Sequence, residues 1–349
     1  MKILYAIQGT GNGHISRSRD IVPLLKQRAE VDVLVSGLKS IPELPFDISY
    51  RCKGLGYTFG KKGGIDFWES WKKAEFKNAQ KEIRDLPINQ YDLLINDFEP
   101  ISAWAAKINK VPSVSLSHQA AVLHKSAPKP KHPDLPGKAV LKYYAPSDLQ
   151  YGFHFESYDE KIYTPVIRQE VRQQEVLNKG HYTVYLPAYS INKLILKLGR
   201  FEGAKWQIFS PKAQEAFCVG DIEVFPAHNK AFIKSMAESL GVLCGAGFET
   251  PAEALHLGKK LMVIPMKTHY EQQCNAAALK KMGVPVLKNL KEKRLPELEK
   301  WLNSKLWVSR DYPDHLEEVI DTILAEQSSL RDFAYIQHLG YSLKGETAA

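Results

Sequence analysis

The chain has 349 residues, of which 44% are hydrophobic and 25% charged, and its formal net charge is +8. These values fit a folded globular protein long enough for two domains, and they exclude a disordered or fibrous chain. No segment approaches 18 consecutive apolar residues, and the opening apolar run is too short for a signal sequence, so a cytoplasmic protein without a membrane span is expected.

The run KILYAI near the N-terminus reads as a buried strand. Residues 15 to 28 place Ile15, Ile21, Val22 and Leu25 at helical spacing, and VDVLVS follows as a second strand. YDLLIND and VPSVSLS are two further strand candidates, with the helix candidate PISAWAAKIN between them. Strands alternating with helices predict a parallel sheet covered on both faces. After the loop YTPVIRQEV the pattern restarts with YTVYLP, a helix over residues 189 to 198, WQIFS, IEVFP, a helix near residues 230 to 239, GVLCGAG, another helix and KLMVIP. The expected class is therefore α/β, with two Rossmann-like domains facing each other across a cleft. Residues 1–164 form the first, residues 165–325 the second, and residues 326–349 a helical tail returning to the first. Residues 312 to 339 read as a terminal helical region. Ligands of such sheets bind beyond the carboxyl ends of the strands.

The positive charge is local. Residues 51–81 hold eight Lys/Arg against three acids and residues 124–142 hold five against one, so the two windows carry +9 and the remainder about −1. Such windows are either solvated faces or a contact surface for an anionic partner, a phosphorylated substrate or an acidic membrane leaflet. No helix-turn-helix, zinc-finger or RNA-binding signature accompanies them, so no nucleic-acid partner is expected. Cys52, Cys218, Cys244 and Cys274 lack C-x-x-C spacing and indicate neither a zinc site nor a disulfide framework.

Two loops carry chemistry. GTGNGH lies at the first strand-to-helix turn, where Gly11, Asn12 and Gly13 permit close approach of a ligand. The dinucleotide fingerprint would need glycine at position 14, which is His14, and no acid ends VDVLVS to hold a ribose, so a nicotinamide enzyme fits poorly. Two readings of His14 stand. It caps or hydrogen-bonds the helix start, or, kept neutral by the helix dipole, it serves as a general base. The second loop belongs to GVLCGAGFETPAEALHLGKKLMVIPMKTHYEQQCNA, residues 241–276. A strand runs into Gly245, Ala246 and Gly247, and Phe248 precedes a helix with Thr250 as the expected N-cap and Pro251 at its first position. That is the outline of a diphosphate site. Glu253 in the first turn is either a partner of the dipole or an acceptor for ribose hydroxyls, while Glu271, Gln272, Gln273 and Asn275 supply a density of polar groups suited to a sugar.

With these segments the chain resembles GT-B glycosyltransferases, in particular the group of the peptidoglycan enzyme that adds N-acetylglucosamine to lipid I and of the nucleotide-sugar glucosyl- and glucuronosyltransferases. The resemblance rests on GTGNGH, SHQAA, TPVIR at the domain junction, G-x-G-x-x-T-x-x-E at residues 245–253 and EQQCNA. It implies that Thr250 and the Gly245–Gly247 backbone meet the donor diphosphate and that Glu253 meets the ribose. Gln272 and Gln273 would reach the ribose or the transferred sugar, with Glu271 beside them. Arg168 would compensate phosphate charge, and Phe225, His228 and Asn229 would flank the base. The chain departs from the peptidoglycan enzyme at LPAYS, where Ser190 stands in for a glycine-rich loop, and at SHQA, where Ala120 replaces an asparagine. These departures leave the donor sugar and the acceptor open.

The expected reaction moves a sugar from a nucleoside-diphosphate sugar to an acceptor hydroxyl, and the resemblance implies a UDP-sugar donor and inversion. His14 is the candidate base, and Asp97 or His118 would orient it. Asp97-x-Glu99 is faintly like a D-x-D metal motif, but no further ligands cluster with it, so no metal and no cofactor are expected to be required. A nucleotide-sugar 2-epimerase of the same fold and a non-catalytic binding protein are the alternatives.

Overall fold

In a computed structural model, residues 1–10, 12–37, 44–55, 75–132, 134–305 and 307–327 are described. The first sheet is built from β1 (Lys2–Gln8), β2 (Glu30–Ser36), β3 (Tyr50–Cys52), β4 (Leu93–Asp97), β5 (Ser113–Leu116), β6 (Leu149–Phe153) and β7 (Ile162–Tyr163). Its order is β3-β2-β1-β4-β5-β6-β7, and every pair is parallel. Parallel strands covered on both faces are near-continuous apolar runs, and β4 is buried at all of its positions, including the polar Asn96 and Asp97 at its carboxyl end.

The second sheet holds β8 (His181–Tyr185), β9 (Lys205–Ser210), β10 (Phe217–Val219), β11 (Ile222–Pro226), β12 (Gly241–Gly245) and β13 (Lys260–Ile264). Its order is β10-β11-β9-β8-β12-β13, parallel except for the edge hairpin β10–β11. In both sheets the strand order reverses beside the first strand, between β1 and β4 and between β8 and β12. Each reversal opens a crevice at the carboxyl ends of the strands.

Helices cover both sheets. Asn12–Lys26 follows β1, so the first helix begins three residues before the expected start and His14 lies inside its first turn. Glu249–His256 follows β12. Its cap position is Phe248, and Thr250 is the second helical residue, so the expectation of Thr250 as N-cap is corrected. Pro251 is tolerated one turn in because the first helical N–H groups have no intrahelical acceptor to lose. Tyr270–Lys281 follows β13 and is capped by His269, whose side chain accepts from the Gln272 N–H.

A helix over residues 316–327 buries Leu316, Val319, Ile320 and Ile323 in the largest apolar cluster, which also contains Ile15, Leu25, Tyr151, Phe153 and Phe155 of the first sheet's layers. Arg28 pairs with Asp321, and Glu326 accepts from Tyr151 and Lys161, so this helix lies against the first sheet's half. Residues 328–349 of the expected tail over residues 326–349 and most of the basic window 51–81 lie outside the described residues, as does Gly11. Among the described residues no helix is long and apolar enough to cross a membrane.

Candidate active site

Side chains from the two sheets meet where the two crevices face each other. From the first half, His14 Nδ1 lies 2.8 Å from Asp97 Oδ1. One turn further along the same helix, on the same face, Arg17 Nη2 donates to both Asp97 oxygens at 2.9 Å. Asp97 is wholly buried, and burial alone would raise its pKa. The Arg17 guanidinium and the His14 ring outweigh that cost and hold it below the ordinary carboxylate value. An ionised Asp97 accepts from His14 Nδ1–H, which leaves Nε2 as the basic nitrogen.

Backbone geometry explains how Asp97 and Glu99 serve different ends. Between them Phe98 takes a left-handed φ of 59°, uncommon for a non-glycine residue. Asp97 faces the first helix, while Glu99 turns back to cap the helix Pro100–Asn109, accepting from Ile101 N at 2.8 Å and Ser102 N at 2.7 Å. The two acids of the Asp97-x-Glu99 pattern therefore do not converge.

His118 does not orient His14. Its Nδ1 lies 2.8 Å from the Phe153 carbonyl oxygen and its Nε2 2.8 Å from Asn275 Oδ1, so it ties the first half to the helix Tyr270–Lys281. The ring stacks on Phe248 with centroids 3.9 Å apart, and burial holds its pKa below the ordinary value. The next residue, Gln119, is the one that approaches His14. Its Nε2 is 3.5 Å from His14 Nε2 and donates to Glu271 Oε2 at 2.9 Å.

In the second half, Glu253 is 1% exposed and both its oxygens accept from Arg168, at 2.5 and 2.9 Å. Glu253, expected to meet the ribose hydroxyls, is thus held in a buried bidentate pair. Asn229 is likewise engaged, accepting from Arg168 Nη1 at 2.7 Å and donating to Glu170 at 2.7 Å, so its amide is directed at the ion pair. Gln272 Oε1 accepts from Met266 N at 3.0 Å and Gln273 Nε2 donates to Met266 O at 2.6 Å, so both amides brace the turn after β13.

Other positions face open space. A Cβ at Gly247 would meet nothing within 4 Å, and one at Gly245 would find only Gln272 Oε1 at 3.9 Å. Ala246 is buried and its carbonyl accepts from Asn275 Nδ2 at 3.1 Å, while Phe248 turns inward onto His118. Ser190 and His228 are exposed at the starts of Ile191–Leu198 and Asn229–Glu238, and Phe225 stacks on Phe209 at the end of β11.

The sequence model of glycosyl transferase family 1 matches residues 1–304. The chain belongs to that family. A glycosyltransferase is therefore the enzyme class, and the epimerase and binding-only alternatives are not favoured. No curated protein matches the family member's sequence. Solved structures do match its fold. MurG of Acinetobacter baumannii is 14% identical over 93% of this chain and 99% of its own, with a TM-score of 0.54. SnogD, a glycosyltransferase of Streptomyces nogalater, is 14% identical over 94% and 95%, with a TM-score of 0.52. The spinosyn rhamnosyltransferase SpnG, solved with thymidine diphosphate, is 12% identical over 96% and 100%, with a TM-score of 0.51.

Two residues of this glycosyltransferase's cluster have no counterpart in the motif reading, Arg17 and Glu249. Arg17 Nη1 donates to Glu249 Oε1, joining the first helix of one half to the first turn of a helix in the other. The signal for Arg17 was present, since it stands three residues after His14 and must share its face. Nothing local announces Glu249, whose partner is 232 positions away.

Proposed function

We propose that this glycosyltransferase moves a sugar from a UDP-sugar to an acceptor hydroxyl, with inversion and without a required metal. The observation that carries the reading is the His14–Asp97 pair, which stands directly across from the helix Glu249–His256 where a diphosphate would be held. In the reaction His14 Nε2 takes the acceptor proton, the acceptor oxygen bonds to the anomeric carbon, and the glycosidic C–O electron pair leaves with the diphosphate. Asp97 keeps the imidazole in the required tautomer and stabilises the imidazolium that forms.

The open backbone at Gly245 and Gly247, the first turn with Thr250 and the guanidinium of Arg168 stabilise the leaving diphosphate. Arg168 could offer a phosphate hydrogen bonds from its fork while Glu253 shares its remaining lone pairs with the ribose, once the buried pair opens. Glu271, Gln272 and Gln273 line the sugar, and the loop of Gly11, Asn12 and Gly13 serves it from the other half. Phe225 and His228 flank the base, with Ser190 near the phosphates. UDP is chosen on the resemblance of residues 245–276 to the peptidoglycan enzyme. Residues 1–164 would serve the acceptor and residues 165–325 the donor.

An anionic membrane surface at the cytoplasmic face is the partner we propose for the basic window 124–142. The helix Leu135–Tyr143 buries none of its residues and exposes Leu135 and Tyr143 beside Lys138 and Lys142. Release of nucleoside diphosphate from UDP-, GDP- and dTDP-sugars in EDTA, with water as the acceptor, tests the catalytic reading. Release by the wild type that disappears in His14→Ala supports it. Equal release by both proteins refutes the base.

A further inference from the structure

The cluster at the facing crevices is overloaded with negative charge. Asp97, Glu249, Glu253 and Glu271 supply four carboxylates, against the two guanidiniums of Arg17 and Arg168. A diphosphate entering such a site adds further negative charge, so one carboxylate must leave or take up a proton. The four are not equally held. Asp97 accepts at both oxygens from one nitrogen of Arg17, Glu253 is locked by two nitrogens of Arg168, and Glu271 accepts from Gln119, its pKa lying below the ordinary carboxylate value despite burial.

Glu249 differs from both arginine-locked carboxylates. Among the described residues its carboxylate is bonded by Arg17 alone, and its side chain is 17% exposed where that of Asp97 is 0%. It is also the first residue of the helix whose N-terminus is the anion site, and its Cγ stands 2.9 Å from where a Cβ of Gly13 would be. The side chain thus fills the gap between the two glycine-containing loops. Behind it Arg17 is 1% exposed at its side chain, and its Nε–H is buried without a partner among the described residues.

The geometry points to Glu249 as a carboxylate stand-in for the donor's phosphate: it occupies Arg17 in the empty protein, and the arriving diphosphate takes its place on that guanidinium. This inference rests on the donor-site reading above and adds Arg17 as a donor-contacting residue. Arg17 would then touch the leaving group with one nitrogen and the partner of the base with the other, so that donor arrival is felt at His14. Burial pushes the Glu249 carboxyl up to about 7 against the pull of Arg17, with Glu253 and Asp97 raising it further and Arg168 lowering it. The groups facing it are thus Arg17 from the first helix, Asp97 from β4, Arg168 from the segment before Gln169–Arg172 and Glu253 from its own helix. His14 borders Arg17 at 3.4 Å.

The test is calorimetric titration of UDP-glucose, GDP-glucose and dTDP-glucose in EDTA into wild type, Glu249→Gln and Glu249→Ser at pH 6 and pH 8. In these donors both phosphates are esterified or bridged, so their charge is constant over this range. Loss of the plug should tighten binding at pH 8 by about threefold or more, and should flatten the pH dependence that the wild type shows through deprotonation of Glu249. Weaker or unchanged binding by folded variants, with the wild type still binding a donor, overturns the stand-in and leaves the donor site intact. No binding by any of the three proteins overturns the donor-site reading itself, and the stand-in with it.

Discussion

His14 Nδ1 and Asp97 Oδ1 lie 2.8 Å apart, and the same carboxylate accepts twice from Arg17, so the position of the imidazole depends on an ion pair that water does not reach. Removing the imidazole should therefore lower turnover by roughly a hundredfold to ten-thousandfold while donor affinity stays close to that of the wild type. Steady-state release of nucleoside diphosphate and a donor titration on His14→Ala separate the two. Loss of donor affinity with an unchanged rate would reverse the assignment.

The Arg168–Glu253 pair sets a second expectation. Glu253→Ala strands a buried guanidinium and should cost about 3–5 kcal/mol of stability by urea unfolding, because a lone buried charge is far less favourable than a pair. The double variant Arg168→Met/Glu253→Leu should recover most of that loss yet bind donor poorly. A Glu253→Ala protein as stable as the wild type would show that the pair is solvated in solution.

Stability should also depend on pH through Glu249. Its folded pKa is raised to about 7 from the ordinary 4.5, so the folded state holds a proton that the unfolded chain has already released between those values. Stability contributed by this group is thus fully present below the unfolded pKa and falls as pH rises toward 7, by up to about 3 kcal/mol. Asp97 has the opposite sign, with stability present above its unfolded pKa and lost as acid reaches its depressed folded value. Urea unfolding at pH 5 and pH 8 should show a smaller difference in Glu249→Gln than in the wild type. Equal differences would contradict the environment described for this carboxyl.

Gly152 tests how β6 carries the helix His118–Leu123. A Cβ there would stand 2.6 Å from Ala121 N and 2.9 Å from Ser117 O, both backbone atoms that cannot swing aside. Gly152→Ala should cost about 1–3 kcal/mol and displace Gln119 from His14, read as a lower unfolding midpoint together with slower turnover. A variant with unchanged midpoint would mean that the helix sits further from the sheet.

Much of the fold was legible in local patterns. KILYAI, YDLLIND and KLMVIP are apolar runs of strand length, and the glycines of GTGNGH and GAG mark the turns at the two crevices. The start of Glu249–His256 was misplaced because Thr250-Pro251 is a strong cap signal, while the actual cap, Phe248, is held by its stack on His118 from the other half. The site was legible as two loops but not as one cluster. Asp97 is legible as a residue near the first loop because it ends a strand beside β1. The partners of His118, Phe153 and Asn275, were not legible because tertiary packing fixes them. Arg17–Glu249 and Arg168–Glu253 were invisible for the same reason, since no periodicity encodes a contact between residues 232 or 85 positions apart.

Titration of the wild type with UDP-glucose, GDP-glucose and dTDP-glucose in EDTA, repeated with Arg168→Met, bears most directly on the nucleotide-sugar site proposed between the two sheets. The account predicts saturable binding of one of these donors, UDP-glucose first, without added metal, and a marked loss of that affinity in the variant. Failure of all three to bind the wild type, or undiminished binding by Arg168→Met, would contradict it.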